Sequence, residues 1–173
     1  MNIFNIWLTG LSGAGKTTIA SALSEHFVAC NILHEVLDGD LYRAVFSPHA
    51  GYSEKERNEF RCKILFIAKL LNKHNVSCII PLLSSSRNLR ERAREELHGF
   101  VEVYVKCPLD ICKERDPKGL YRKAAKSEKP NIVGIDLIYE EPKSPELIID
   151  TSKAHVESCV QSIINKIKQF KYI

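Results

Sequence analysis

The residues with the clearest chemical potential form a glycine-rich stretch near the amino terminus, from Gly10 to Thr18. Its first eight residues fit the pattern G-x-x-x-x-G-K-[ST], in which backbone N–H groups curl around phosphate oxygens. In this pattern Lys16 reaches the β- and γ-phosphates, and the Thr17 hydroxyl binds Mg²⁺. The stretch therefore predicts a cradle for a nucleoside triphosphate. Its candidate residues are Gly10, Ser12, Gly13, Ala14, Gly15, Lys16, Thr17 and Thr18.

The surroundings of this loop favour a phosphate cradle over a glycine-rich hairpin. An apolar run at 3–8 precedes the loop and predicts a buried strand. Ile19, Leu23 and Phe27 follow it at helical spacing. A strand, a loop and a helix in immediate succession are the context that the motif requires.

A pair of acids follows the next apolar run, which spans 33–37. Asp38 and Asp40 are two residues apart, so on a strand both carboxylates would face the phosphate loop. One of the two is expected to hold Mg²⁺ through water while the other orients or deprotonates an acceptor hydroxyl. A turn with solvated acids is the alternative.

Cationic side chains follow the predicted strand ends and occupy a long loop later in the chain. Guanidinium groups are common partners of phosphate-like anions, although any single one can equally lie on an ordinary surface. The candidates are Arg43, Arg57, Arg87, Arg115 and Lys118.

The rest of the chain alternates apolar runs with amphipathic stretches. This order predicts an α/β P-loop NTPase fold, with a single parallel five-stranded sheet and helices on both faces. Periodicity lapses between 115 and 145, which predicts an active-site lid or a disordered insert. The expected strands are 3–8, 33–37, 76–83, 100–105 and 147–149. The expected helices are 16–29, 53–75, 88–97, one starting at Pro108, and one near 156–167. The second of these is expected to carry an apolar face formed by Phe60, Ile64, Ile67, Leu70 and Leu71.

The bulk properties suit one domain over 1–173, with the lid at about 115–145. Apolar content of 45% and charged content of 27% are typical of a globular protein. The net charge of +4 is scattered, so we expect no nucleic-acid partner. The six cysteines form no C-x-x-C pair, and most are expected to be buried as small apolar residues. No signal peptide or long apolar span is evident, which points to a reducing cytoplasm and no membrane partner.

Two sequence patterns of GTPases fail here. The segment 165–168, Asn-Lys-Ile-Lys, lacks the Asp of N-K-x-D, and Asp116 to Gly119 lies too late to be a switch motif. The intact Lys16 and Thr17 also disfavour a non-catalytic nucleotide sensor, which stays open as an alternative. A kinase resembling shikimate kinase is a further alternative, but its carbocyclic acceptor does not suit a Lys-Gly-Leu-Tyr lid.

Several motifs together resemble the adenylylsulfate kinase (APS kinase) family over nearly the whole chain. They follow the family order and spacing, and the motif that starts at Arg115 is the most selective of them. The motifs are the glycine-rich loop, Leu37-Asp38-Gly39-Asp40 with Arg43, Gly51-Tyr52-Ser53 with Arg57, Arg115-Asp116-Pro117-Lys118-Gly119-Leu120-Tyr121, Gly134-Ile135-Asp136 and Tyr139-Glu140-Glu141-Pro142.

The resemblance implies phosphorylation of a nucleotide 3′-hydroxyl with ATP and Mg²⁺. It implies that Asp40 lies beside that hydroxyl, that Arg43 and Arg57 bind the 5′ phosphate end, and that Lys118 assists at the transferred phosphate. Lys16, Lys118, Asp38 and Asp40 are the expected catalytic residues, Thr17 and Asp38 are the expected Mg²⁺ ligands, and Arg115 joins the ATP site. A small nucleotide is the expected partner and a homodimer a possible assembly. The expected acceptor contacts are Asp40, Arg43, Tyr52, Arg57, Phe60, Leu83, Ser84, Lys118, Gly119, Leu120 and Ile132, and some family members phosphorylate the serine matched by Ser84.

The chain departs from the family where the acceptor binds. Phe60 replaces an Asn, Ile132 replaces a Phe that stacks on adenine, and Tyr52 replaces a second stacking Phe. The third strand ends in Leu-Ser-Ser-Ser-Arg at 83–87 rather than the family's I-S-P-Y/H-R. An aromatic stack contributes about 1–3 kcal/mol per base, so losing one changes recognition. These departures favour an altered acceptor, cytidine 5′-diphosphoramidate of capsule biosynthesis, which a subgroup of the family phosphorylates. Adenylylsulfate itself is the alternative.

Overall fold

The computed structural model describes residues 2–48, 51, 53–126 and 131–173. Within these residues strands and helices alternate along the chain. The strands are β1 (Asn5–Thr9), β2 (His34–Val36), β3 (Ser77–Pro81), β4 (Phe100–Lys106) and β5 (Leu147–Asp150). The helices are α1 (Lys16–Ala29), α2 (Gly39–Phe46), α3 (Glu54–Lys73), α4 (Arg87–Glu96), α5 (Leu109–Arg115), α6 (Leu120–Ala125) and α7 (Val156–Gln169).

The five strands form one sheet in the order β2-β3-β1-β4-β5, and each pair is parallel. The predicted α/β fold is therefore confirmed. Because all strands run the same way, their carboxyl ends lie along one edge of the sheet, where ligands bind in open α/β folds. The glycine-rich loop leaves β1 at the centre of that edge.

Alternating side chains along the central strands build a core on each face of the sheet. Ile6 and Leu8 of β1 point into a core that α1 and α7 cover, whereas Trp7 points into a second core under α3 and α4. In β3, Ile79 joins the first core and Ile80 the second. Strands buried on both faces are expected to be almost continuously apolar.

Two helices were absent from the sequence prediction. The segment of the two acids is not a strand end, because α2 begins at Gly39 and Asp38 is its N-cap. The stretch 115–145 is not wholly irregular, because it contains α6 and a short parallel bridge between Val133 and Leu137. Short helices are held by caps and tertiary contacts more than by periodicity.

Other boundaries differ by a few residues, and one predicted core position is wrong. Ser53 begins α3 with the predicted capping box, in which Glu56 is the partner. Leu70, expected on the buried face of this helix, is 47% exposed, because the face is narrower than assumed.

The cysteine prediction is confirmed for four of the six residues. Cys78, Cys107, Cys112 and Cys159 are buried, and all six thiols are free. In the described part of the chain no helix is both long and apolar enough to cross a membrane.

Candidate active site

Glycines shape the loop that follows β1. Gly13 and Gly15 have φ angles of 77° and 94°, in the region that side chains rarely adopt, and Gly15 is the N-cap of α1. A Cβ atom at Gly13 would lie 2.8 Å from the carbonyl oxygen of Cys112. The loop therefore needs glycine for both conformation and space, and it leaves the first N–H groups of α1 to bind an anion.

Lys16 lies over this loop. Its Nζ donates hydrogen bonds to the carbonyl oxygens of Gly10, at 3.0 Å, and Leu11, at 2.7 Å. Burial, with a smaller contribution from the nearby positive charge of Lys118, lowers the pKa of Lys16 from 10.5 to about 8. The ammonium is poorly solvated where it is, so an arriving phosphate would stabilise it strongly.

The Thr17 hydroxyl donates to Asp38 Oδ2 at 3.4 Å. The other carboxylate oxygen of Asp38 accepts the backbone N–H groups of Asp40, at 2.9 Å, and Leu41, at 3.2 Å. The prediction that strand alternation aligns the two acids was wrong, since an N-cap interaction orients Asp38 instead. The outcome is similar, because both acids still line the same cavity.

Asp40 forms an ion pair with Lys118 across this cavity. Asp40 Oδ2 accepts from Lys118 Nζ, and thereby α2 is joined to the segment between α5 and α6. Both side chains are partly exposed, so the pair is open to exchange with a ligand.

Two predicted anion-binding arginines hold neighbouring backbone groups. Arg43 Nη2 donates to Gly51 O at 2.5 Å, and the guanidinium lies over the Phe60 ring at 5.3 Å from its centroid. Arg57 Nη2 donates to Asn131 O at 2.7 Å. These contacts join α2, α3 and the segment after α6 around one side of the cavity.

Asp116 fixes the start of α6. Its carboxylate accepts the N–H groups of Tyr121, at 3.2 Å, and Arg122, at 3.0 Å. Burial raises the pKa of Asp116, but the N–H groups of Arg122, Tyr121 and Leu120 outweigh this effect and lower the pKa overall. The Tyr121 hydroxyl then donates to Ser12 O at 3.0 Å, which packs α6 against the glycine-rich loop.

A cavity of about 890 Å³ lies between these groups. A volume of this size is in the range of small-molecule sites. Most predicted site residues with described positions line it. They are Ser12, Gly13, Gly15, Lys16, Thr17, Thr18, Asp38, Asp40, Arg43, Arg57, Phe60, Leu83, Arg115, Lys118, Leu120 and Ile132.

Other predicted residues lie outside the cavity wall. Gly10 and Ala14 belong to the loop backbone, and Gly119 is the N-cap of α6. The Ser84 hydroxyl is fully buried and accepts the indole N–H of Trp7 at 3.1 Å, which does not favour contact with an acceptor. Arg87 donates to Glu141 O at 2.8 Å, away from the cavity. Tyr52 is not among the described residues.

The sequence analysis missed several wall residues, among them a buried arginine and the loop after β5. Arg61 lines the cavity from α3 although only 3% of the residue is exposed. The loop after β5 also contributes Thr151, Ala154 and His155. Thr151 Oγ1 donates to Ala14 O at 2.8 Å, and Arg115 Nη2 donates to Thr151 O at 2.8 Å. The rule that ligands sit at the carboxyl ends of strands, applied to the last strand, would have found this loop.

Known proteins resemble this chain along its length. Residues 2–150 match the family model described as adenylylsulphate kinase. A probable adenylyl-sulfate kinase of Pyrococcus abyssi is 40% identical over 173 residues, covering 100% of this chain and 99% of the relative. The structure of Mycobacterium tuberculosis APS kinase CysC, in complex with AMPPNP and APS, has a TM-score of 0.92 and 32% identity over 96% of this chain and 98% of that chain. Shikimate kinase from Acinetobacter baumannii, at 19% identity and a TM-score of 0.65 over 99% of this chain and 96% of that one, shares the fold alone.

Proposed function

The chain belongs to the adenylylsulphate kinase family, and we propose that it transfers the γ-phosphoryl group of ATP to the 3′-hydroxyl of adenylylsulfate. Membership makes it a phosphotransferase with a hydroxyl acceptor, in a family that uses ATP with Mg²⁺. The observation that carries the proposal is a single cavity with the phosphate loop on one wall and Arg43 and Arg57 on another. Asp40 and Lys118 form their ion pair within it.

The chain's own oxygen donors fit Mg²⁺. The Thr17 hydroxyl and the Asp38 carboxylate lie 3.4 Å apart, and hard oxygen ligands of this kind suit this ion. Bound there, Mg²⁺ supplies charge neutralisation on phosphate oxygens. Asp38 is held in place by its N-cap hydrogen bonds, so its remaining oxygen is already aimed at Thr17.

The remaining groups divide the work of phosphoryl transfer. Backbone N–H groups of the loop bind the triphosphate, and Lys16 exchanges its two carbonyl partners for phosphate oxygens. Asp40 accepts a hydrogen bond, and then the proton, from the 3′-hydroxyl. Lys118 leaves Asp40 and donates to the transferred phosphoryl group, while Arg43 and Arg57 bind the anionic 5′ end of the acceptor.

Replacement of Asp40 tests this assignment. Asp40→Asn keeps the shape but removes the base, and kcat is expected to fall by about 10²–10⁴ with ATP affinity retained. Initial rates of ADP formation with adenylylsulfate give kcat, and equilibrium titration with ATP gives affinity. Asp110→Asn is the matched control, because Asp110 is an exposed helical acid outside the cavity. Full turnover in Asp40→Asn would refute the role of Asp40.

The acceptor wall favours a second candidate, cytidine 5′-diphosphoramidate. Phe60 and Ile132 are 4% and 5% exposed and line the cavity at positions where the family usually has Asn and Phe. The full-length similarity to adenylyl-sulfate kinases supports adenylylsulfate more strongly, and for that reason it is the acceptor proposed first. Turnover with ATP and each acceptor in separate assays decides between them, since efficient use of the cytidine compound alone would reject adenylylsulfate.

The proposal extends to the domain organisation and the assembly of the protein. We expect residues 1–173 to act as one kinase domain in the cytoplasm, where ATP and reduced thiols are available. A homodimer is a possible assembly, and light scattering of the purified protein measures it.

A further inference from the structure

Two buried arginines hold the connection between β3 and α4 from different elements. Arg61 of α3 donates from Nη2 to Leu83 O at 3.1 Å and to Ser85 Oγ at 3.2 Å. Arg90 of α4 donates from Nη1 to the carbonyl oxygens of Ser84 and Ser86. Four successive residues, 83–86, are therefore held alternately by one guanidinium and the other.

Only one of these two arginines belongs to the cavity. Arg61 lines it, together with its neighbour Phe60 and with Leu83, whose carbonyl Arg61 holds. Arg90 is absent from the described lining, and its Nε donates to the Glu102 carboxylate of β4 at 2.8 Å. Arg90 thus ties the connection to the sheet, whereas Arg61 ties it to the acceptor wall.

A hydrogen bond within α3 orients the Arg61 guanidinium for its contacts with residues 83 and 85. Its Nη1 donates to Asn58 Oδ1, three residues earlier on α3, at 2.9 Å. A guanidinium fork of fixed geometry can reach Asn58, Leu83 and Ser85 together, which a lysine with a single nitrogen cannot do in the same way. The position of Leu83 in the wall then depends on a bond between residues 22 apart in sequence.

The connection needs such a restraint because of its composition. It reads Leu-Ser-Ser-Ser at 83–86, without the proline that the family pattern places at 85. Proline limits the conformations of a chain before folding, and serines lose more entropy when they are ordered. Hydrogen bonds to Leu83 and Ser85 offset that loss.

We propose that Arg61 is a positioning residue that sets acceptor selectivity, because its hydrogen bonds to Leu83 and Ser85 hold Leu83 in the wall of the acceptor pocket. This proposal rests on the proposed kinase function and adds a residue to the same site. Because Arg61 acts through the wall, its loss raises the KM for the acceptor and leaves the KM for ATP unchanged. Selectivity between related acceptors falls as well, since a loosened wall discriminates less.

The test compares Arg61→Met and Arg61→Lys with the wild-type chain. Adenylylsulfate and cytidine 5′-diphosphoramidate are assayed in parallel, and the acceptor that the wild-type protein uses becomes the reference. If the wild type uses only the cytidine compound, the proposed function fails while the Arg61 test still runs. Arg92→Met is the matched control, because Arg92 pairs with Glu96 on an exposed face.

Both Arg61 variants are expected to raise the acceptor KM by about tenfold, with the ATP KM unchanged. Ser85→Ala, which removes one acceptor of the guanidinium, is expected to raise it by about threefold. Addition of Ser85→Pro to Arg61→Met is expected to recover part of the loss. A normal acceptor KM in Arg61→Met, an equal rise in both KM values, or full rescue by Arg61→Lys would overturn the proposal. If thermal unfolding shows that Arg61→Met does not fold, Ser85→Ala decides, and an unchanged acceptor KM rejects the proposal.

Discussion

The two sides of the cavity are built in different ways. The phosphate side is mainly backbone, with Gly13 and Gly15 in conformations that aim N–H groups at one point. The acceptor side consists of long side chains, including Arg43, Arg57 and Arg61, that come from two helices and bind carbonyl groups of other segments. A backbone cradle follows from about eight consecutive residues, whereas a side-chain wall depends on how distant elements pack.

The two sides are expected to tolerate substitutions to different degrees. A substitution in the loop is expected to disturb the reaction with every acceptor, because the proposed triphosphate site depends on both the glycine conformations and the Lys16 charge. A substitution in the acceptor wall exchanges one set of contacts for another and leaves the triphosphate in place. Such a wall can carry Phe60 and Ile132 while the loop keeps the common pattern.

Lys16→Met, on the phosphate side, has the largest expected effect. It removes a poorly solvated charge that is proposed to contact the triphosphate, so kcat is expected to fall by about 10²–10³ with every acceptor. Steady-state rates with both candidate acceptors measure the effect. Lys69→Met is the control, since Lys69 pairs with Glu96 on the surface. A loss confined to one acceptor would contradict the division of the cavity into two sides.

Arg57→Met tests the other side. Loss of a charged hydrogen bond to the anionic end of the acceptor is expected to raise the acceptor KM by about 10–100-fold, with ATP affinity unchanged. Acceptor titrations at saturating ATP and an equilibrium titration with ATP measure the two quantities. Arg122→Met, which replaces an exposed guanidinium on α6, is the comparison variant. An equal loss of ATP affinity in Arg57→Met would mean that the two sides are not independent.

Asp116→Asn has the smallest expected effect and concerns stability. The hydrogen bonds that the Asp116 carboxylate accepts from the N–H groups of Tyr121 and Arg122 in the first turn of α6 are weakened, and the free energy of unfolding is expected to fall by about 1 kcal/mol at pH 7. The pKa of Asp116 lies below its ordinary value of 3.8 in the folded protein, so this contribution is present above that value. It is lost as the pH falls from about 4 through the folded-state pKa.

Urea unfolding of both proteins between pH 3 and 7 measures that difference. The curves are expected to converge at the acidic end, because protonated Asp116 resembles asparagine. Asp136→Asn serves as a comparison within the same segment, where the carboxylate accepts the N–H group of Ile132. A difference between wild type and Asp116→Asn that stays constant down to pH 3 would contradict the electrostatic origin of the effect.

Much of the fold was predictable because its signals are local. The strand, loop and helix around Lys16 follow from glycine spacing and apolar periodicity, and the parallel sheet follows from the alternation of elements. The family resemblance drawn from the motifs is confirmed. The acid pair was predicted to lie at a strand end, but α2 begins there instead, because N-capping by Asp38 outweighed the strand pattern.

The sequence by itself determined the phosphate loop, the sheet and the family, because each depends on neighbours in the chain or on motif order. The tertiary structure was needed to place Arg61 in the cavity wall, the Ser84 hydroxyl outside it, and Thr151 in the wall beside the glycine-rich loop. Thr151 and Ala14 are 137 residues apart, and Arg61 and Ser85 are 24 apart. Contacts between residues so far apart in sequence form when whole helices and strands pack together, so no short sequence pattern predicts them.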